Sequence, residues 1–216
     1  MRSRRTPGSG ASDPSSEASS STPSPDQSGR GRLIVICGPS GVGKSSVIDR
    51  VEQRRPVHFS VSLTTRGARP GERDGVDYRF VDRDEFERSI HNGDLIEWAE
   101  YDQHLYGTPR QAVEPHLSGG EDVLLDIEVQ GAAQVKTAYS EAILIFIAPP
   151  SMEELERRLR RRGDTDDADI GRRLRIARRQ LEDAEALFDH VVVNDDLSRA
   201  VEEVLGILHP TRRNSL

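Results

Sequence analysis

An apolar run, Leu33-Ile-Val-Ile-Cys37, drops into Gly38-Pro-Ser-Gly-Val-Gly-Lys44-Ser45. The order is a strand, then G-x4-G-K-S, then a helical pattern from Lys44 to about Arg54. Glycines let backbone N–H groups close around phosphate oxygens, and the following helix turns its positive end toward them. In such a loop Lys44 reaches the β- and γ-phosphates of a nucleoside triphosphate and Ser45 can hold Mg²⁺. The chain has 30 Lys plus Arg, of which only Lys44 and Lys136 are lysines. In a chain that prefers arginine this strongly, a compact ammonium at position 44 fits a point-charge contact with phosphate. The competing reading is a glycine-rich turn with no ligand.

A second cluster follows in Ser60-Val-Ser62-Leu-Thr-Thr-Arg66-Gly-Ala-Arg69-Pro-Gly-Glu72, with Tyr78 beyond a glycine-rich turn. Two guanidinium forks and a phenol hydroxyl suit a terminal phosphate dianion, and a charged surface hairpin is the alternative. Between Met152 and Gln180 lies an arginine-dense stretch that includes Arg158, Arg162 and Arg173, interleaved with acids. Its pattern fits solvated helices laced with i,i+4 ion pairs, and a nucleic-acid stripe is disfavoured because the acids nearly balance it.

These residues need a scaffold, and the pattern supplies one. Leu33–Cys37, Val123–Ile127, Ile143–Ile147 and His190–Val193 are continuous apolar runs, as in a parallel sheet covered on both faces. Helices are expected to start near Lys44, Gln130, Ser151 and Leu197, with a capping box at Ser151-Met-Glu-Glu154 and Asp196 as an N-cap. The fold class is therefore α/β, a parallel sheet with helices on both faces. Residues 57–109 break the rhythm and read as an inserted mixed α/β subdomain with a short helix near Asp82–His91. The expected organisation is a core of 31–56, 110–150 and 188–210, the insert 57–109, a helical region 151–187 and a short tail 211–216. Residues 1–30 are Ser/Pro/Gly-rich, lack a secretory apolar stretch and are expected to be disordered. A net charge of −7 argues against nucleic-acid or acidic-membrane partners, and no apolar run reaches membrane-span length. The single Cys37 cannot form an internal disulfide and suits a reducing cytoplasm. The six histidines are scattered, and no Cys/His spacing suggests zinc.

Taken together, GPSGVGKSS, SLTTRxxRxGExxGxDYxF, Ile96-Glu97-Trp98-Ala-Glu-Tyr101, Tyr106-Gly-Thr108, Leu125-Asp126-Ile-Glu128-Val-Gln130-Gly131 and Val193-Asn194-Asp195-Asp196 resemble the guanylate kinase family from about Arg32 to Leu208. The resemblance implies a P-loop fold with a GMP-binding insert and a helical lid. The implied reaction carries the γ-phosphoryl of ATP to GMP, and to dGMP, with Mg²⁺, in purine nucleotide metabolism. It assigns Gly38, Pro39, Ser40, Gly41, Val42, Gly43, Lys44, Ser45, Ser46, Arg158, Arg162 and Asn194 to ATP. Arg66, Arg69, Tyr78 and Tyr106 match positions that hold the GMP phosphate, and Glu72 one that orients the arginines. Ser62, Glu97 and Thr108, with Asp126, match those that read guanine. Lys44, Arg66, Arg158, Arg162 and Arg173 are the implied catalytic charges, and Ser45, with help from Asp126, serves Mg²⁺.

The chemistry agrees with that assignment. Guanine offers two adjacent donors, N1–H and the 2-amino group, to a carboxylate, whereas adenine faces it with an acceptor at N1. Residue types alone would instead make Glu97 a surface carboxylate beside a core Trp98. Two rivals stay open: a non-enzymatic scaffold domain of this fold, and a P-loop kinase acting on another nucleotide or a ribose phosphate. Monomer and homodimer are both compatible with the sequence.

Overall fold

The computed structural model describes residues 29–162 and 167–209. In chain order these form β1 (Leu33–Cys37), α1 (Lys44–Arg54), β2 (His58–Phe59), β3 (Leu63–Thr64), β4 (Arg79–Phe80), α2 (Arg83–His91), β5 (Leu95–Tyr101) and β6 (His104–Pro109). There follow α3 (Glu114–Ser118), β7 (Val123–Asp126), α4 (Val129–Ala138), β8 (Ile143–Ala148), α5 (Met152–Arg162), α6 (Asp167–Leu187), β9 (His190–Val193) and α7 (Leu197–Leu208).

Among the described residues two sheets form. The larger is parallel, with strand order β2-β7-β1-β8-β9 and β1 at its centre. Every residue of β1 is buried, because helices cover both faces. Ile34 and Ile36 face a core shared with Val47, Val51, Leu155 and Val204. Leu33 and Val35 face the opposite one, with Leu117, Val135 and Phe188. Fully burying such an aliphatic side chain contributes about 1.5–3 kcal/mol, so β1 anchors the loop that follows it. The α/β class read from the sequence is the observed one.

The smaller sheet is mixed, in the order β4-β3-β6-β5, with β3 parallel to β4 and β6 antiparallel to both β3 and β5. It packs around Phe86 of α2 with Leu63, Leu95 and Leu105. Side-chain caps start three helices where the sequence puts them. Asp82 accepts from the Glu85 N–H at 2.7 Å, Ser151 from Glu154 at 3.2 Å and Asp196 from Arg199 at 2.9 Å.

Three features differ from the sequence reading. β2 lies within the 57–109 stretch yet pairs in parallel with β7 at the edge of the large sheet. Helix α4 starts at Val129, one residue earlier than expected. Strand β9 is not covered on both faces: Val191 and Val193 are 41% and 43% exposed, because β9 is an edge strand and only Val192 points into the core. The expectation of disorder over residues 1–30 falls almost wholly outside the described residues, as does the tail at 211–216.

One charge cluster ties distant segments at the foot of the large sheet. Asp122 accepts from the Arg32 side chain at 2.6 and 3.2 Å, from the Arg32 N–H at 2.9 Å and from Arg55 at 2.6 Å. Burial would raise its carboxyl, but the two arginines prevail and hold it down at about 2.

Candidate active site

Because β1 ends at the sheet's carboxyl edge, the Gly38–Gly43 loop turns there into α1. Gly38, Gly41 and Gly43 all have φ between 85° and 150°, a region that side chains avoid. A side chain would also meet a neighbour at all three, at Gly41 the Leu159 side chain 2.7 Å away. A Cβ on Gly38 would lie 2.4 Å from the Ile147 carbonyl oxygen, and one on Gly43 2.6 Å from Asn194 Nδ2. Asn194 in turn donates to the Val42 carbonyl at 2.8 Å. The loop is thus held from outside, and inside it the Val42 N–H donates back to the Pro39 carbonyl at 3.2 Å.

Lys44 Nζ donates to the Gly38 carbonyl at 2.7 Å and stands 3.8 Å from Asp126 at the end of β7. Burial would favour the neutral amine, but the carboxylates of Asp126 and Glu128 outweigh it and lift Lys44 above the usual lysine range. Burial likewise pushes both carboxyls up, with Lys44 pulling them back. Ser45 is exposed on the first turn of α1.

Across the cleft, β5 presents Glu97 inward and Trp98 outward, the reverse of what residue type suggests. Glu97 is 4% exposed and Trp98 39%. Alternation along a strand allows one of them inside, and two contacts decide which. Gln134 of α4 grips the Trp98 backbone, donating to its carbonyl at 2.7 Å and accepting from its N–H at 3.2 Å. Gly131, one turn earlier, clears the space in which the carboxylate sits, and a Cβ there would lie 2.1 Å from Glu97 Oε2. Thr108 of β6 is fully buried and donates to Glu97 Oε1 at 2.6 Å. Burial dominates the carboxyl and raises it to about 7, against the pull of Thr108 and with a further push from Glu128. Ser62 is buried just before β3, on the strand that pairs with β6.

The predicted phosphate cluster also assembles. Glu72 takes both Nη atoms of Arg66 at 2.9 Å each and the Arg69 N–H at 2.7 Å, so one carboxylate sets two arginine positions. The Arg66 guanidinium lies 5.4 Å from the centre of the Tyr78 ring, and Tyr78 meets Tyr106 edge to face at 5.9 Å. Burial, reinforced by the charge of Asp126, raises the Tyr78 phenol. The Arg69 side chain is exposed.

The helical region meets the loop through Arg158. It donates to the Val42 carbonyl at 3.1 Å, the Asn194 carbonyl at 2.9 Å and Glu154 at 2.7 Å, which welds α5 to the back of the loop. Arg173 pairs with Asp169 at 2.8 Å, and its charge acts on Tyr101 at the end of β5. The assignment of Arg162 concerns a side chain outside the described residues. Arg172 forms an ion pair with Asp102, which with Gln103 makes the left-handed β5–β6 turn, so α6 already touches the tip of the small sheet.

The structure thus gathers the loop, Lys44, Asp126, the Arg66–Glu72–Tyr78–Tyr106 cluster and the Glu97–Thr108 pair around one cleft. Glu128, Tyr101 and Gly131 belong there too, and residue-type reasoning passed them over. Gly131 left the clearest signal, a glycine in a helix interior, where it is otherwise unfavourable.

A glycine-rich loop between strand and helix, with a second sheet that carries an arginine–tyrosine cluster and a buried carboxylate, is the arrangement of a P-loop kinase of small nucleotides. Comparison with known proteins narrows the class. The "Guanylate kinase" family model matches residues 30–210, and the chain belongs to the guanylate kinase family. It is 52% identical over 182 residues to a guanylate kinase of Synechococcus sp. (strain JA-3-3Ab), covering 84% of this chain and 83% of that one. It is 55% identical over 186 residues to a guanylate kinase of Thermus thermophilus, covering 86% and 84%. The solved guanylate kinase of Anaplasma phagocytophilum superposes with a TM-score of 0.70 at 38% identity, over 83% of this chain and 85% of that one. Among the described residues no helix is long and apolar enough to cross a membrane.

Proposed function

We propose that this chain transfers the γ-phosphoryl group of ATP to the phosphate of GMP, giving ADP and GDP, with Glu97 as the residue that selects guanine. The observation that carries the reading is a buried carboxylate, Glu97, paired with Thr108 and given its space by Gly131. Guanine N1–H and its 2-amino group donate to that carboxylate, which Thr108 holds in place from the other side, while the Ser62 hydroxyl can donate to O6. An adenine would leave these buried groups mispaired, which can cost a factor of about 10⁴–10⁵.

Arg66, Arg69, Tyr78 and Tyr106 hold the GMP phosphate, and Glu72 keeps the arginines aimed. The loop 38–46 and Lys44 hold the ATP phosphates, with Arg158 and Asn194 fixing the loop from behind and Arg173 approaching from α6. The acceptor phosphate is already anionic, so no strong base is needed, and positioning with charge stabilisation carries the reaction. The donor set near Lys44 fits Mg²⁺, since the Ser45 hydroxyl and the Asp126 carboxylate are hard oxygen ligands. When bound with ATP, Mg²⁺ supplies charge neutralisation on the phosphates. The lone Cys37 is buried and has no second cysteine to pair with, which fits work in a reducing cytoplasm.

The test is a coupled ADP-release assay with ATP and Mg²⁺, offering GMP, AMP, dTMP, CMP and no acceptor in parallel. Turnover with GMP alone is the expected result. Turnover with another base keeps the kinase and removes Glu97 as the reader of guanine, and a folded protein inert with every acceptor leaves a binding domain.

A further inference from the structure

At the opposite end of the large sheet from the loop, three side chains from separate segments converge: His58 at the start of β2, His116 on α3, and Glu121 in the turn leading to β7. Their ligand atoms all lie within 4.8 Å of one another. The two imidazoles are stacked, with centroids 3.4 Å apart and 10° between their planes, and His116 Nδ1 is 2.6 Å from Glu121 Oε2. We propose that His58, His116 and Glu121 form a binding site for one divalent transition-metal ion of the zinc type, separate from the nucleotide cleft.

Three points support this site. The donor set, two imidazoles and one carboxylate, is one that zinc accepts, with the fourth position left to water. Donors on one tetrahedral ion with bonds of about 2.0–2.1 Å stand roughly 3.3 Å apart, so side-chain rotation that splays the stacked rings closes the gap without moving the backbone. Access is open, since His58 and Glu121 line the wall of a polar groove of about 1450 Å³.

The position gives such an ion a consequence. His58 pairs with Val123 in the sheet register, level with Leu33 at the amino end of β1, whereas the phosphate loop leaves its carboxyl end. The chain leaves the core for the small sheet just after His58 and has returned by His116. An ion held by both therefore clasps the exit and the return of the insert. The two histidines are 58 residues apart in sequence, which no ligand-spacing pattern would register.

The test is a Co²⁺ titration of the full chain, stripped with chelator and kept in millimolar Mg²⁺ to fill oxygen-donor sites, followed by displacement with Zn²⁺. One equivalent of Co²⁺ should develop visible d–d bands that Zn²⁺ abolishes. His58→Gln and His116→Gln should each weaken binding by more than about 10–100-fold, the loss already seen when only an outer partner is removed. His104→Gln should leave it unchanged. Zn²⁺ at a hundred times its Kd should raise Tm by about 5–10 °C in the parent chain. Glu121→Gln lies at an exposed position and folds whatever the histidine variants do, so it must lose the bands or shift them and lose most of the Tm rise. Absence of bands in the parent, or bands and Tm rise unaltered in Glu121→Gln or in the two histidine variants, overturns the proposal.

Discussion

Lowering the pH from 8 to 6 should weaken GMP binding about twentyfold, and about tenfold of that should come from Glu97. The carboxyl of the free site titrates at about 7, because burial outweighs the Thr108 hydrogen bond and Glu128 adds its own repulsion. Guanine's two N–H donors bind only the ionised form, so the apparent Kd scales with one plus the ratio of protonated to ionised sites. For a pKa near 7 that factor is about 1.1 at pH 8, 2 at pH 7 and 11 at pH 6. The tenfold change equals about 1.4 kcal/mol. GMP's own phosphate, with a second pKa near 6, adds about twofold over the same range if the arginines take the dianion. Isothermal titration calorimetry without ATP measures both parts. At pH 7, repeats in buffers of different ionisation enthalpy should report release of about half a proton per GMP bound. Glu97→Gln should bind far more weakly, keep only the twofold phosphate slope and release almost no proton from this site. A parent slope equal to that of Glu97→Gln, or no proton release at pH 7, would refute the assignment of guanine to this carboxylate.

Three other outcomes follow from the geometry. Lys44→Met should lower kcat by at least about 10²-fold with the fold intact by circular dichroism, since it removes a charge aimed at the transferring phosphate. Gly131→Ala should raise KM for GMP at least about tenfold by driving Glu97 off Thr108, while the gain of about 1 kcal/mol from alanine in a helix is offset by the loss of that buried bond, about 1–3 kcal/mol, so Tm holds or falls slightly. A fall in Tm with unchanged KM would show that the glycine serves only packing. Asp122→Asn should cost about 2 kcal/mol or more in urea unfolding at pH 7. The sign is that of a depressed carboxyl: Asp122 stabilises the fold above the unfolded value of 3.8, and its contribution fades as pH falls through about 2. The parent should therefore converge on the variant in acid, and a gap unchanged between pH 7 and pH 2.5 would contradict the network.

What lies contiguous in the chain is legible from the residues alone. Strand, glycine loop, Lys44 and Ser45 span thirteen residues from Leu33 to Ser45, so local geometry suffices to aim them at phosphate. The same holds for the caps at Ser151 and Asp196, where a side chain reaches an N–H only three residues ahead. Arg66, Glu72 and Tyr78 sit close enough in sequence for their phosphate chemistry to be suspected, and the family resemblance sharpened it. Other features depend on long-range packing. Apolar content alone could not show that β9 is an edge strand, because edge and centre are set by which strands pair with β8. Residue type pointed Trp98 inward and Glu97 outward, and α4 reversed them through the Gln134 clamp and the vacancy at Gly131. Arg158 reads as one more cation in a charged helix until folding sets it against the Val42 and Asn194 carbonyls. Asp122 gathers Arg32 and Arg55 from 90 and 67 residues away, and His58 meets His116 across the whole insert. In each of these cases the deciding partner comes from another element, and only closure of the chain into two packed sheets brings it within reach.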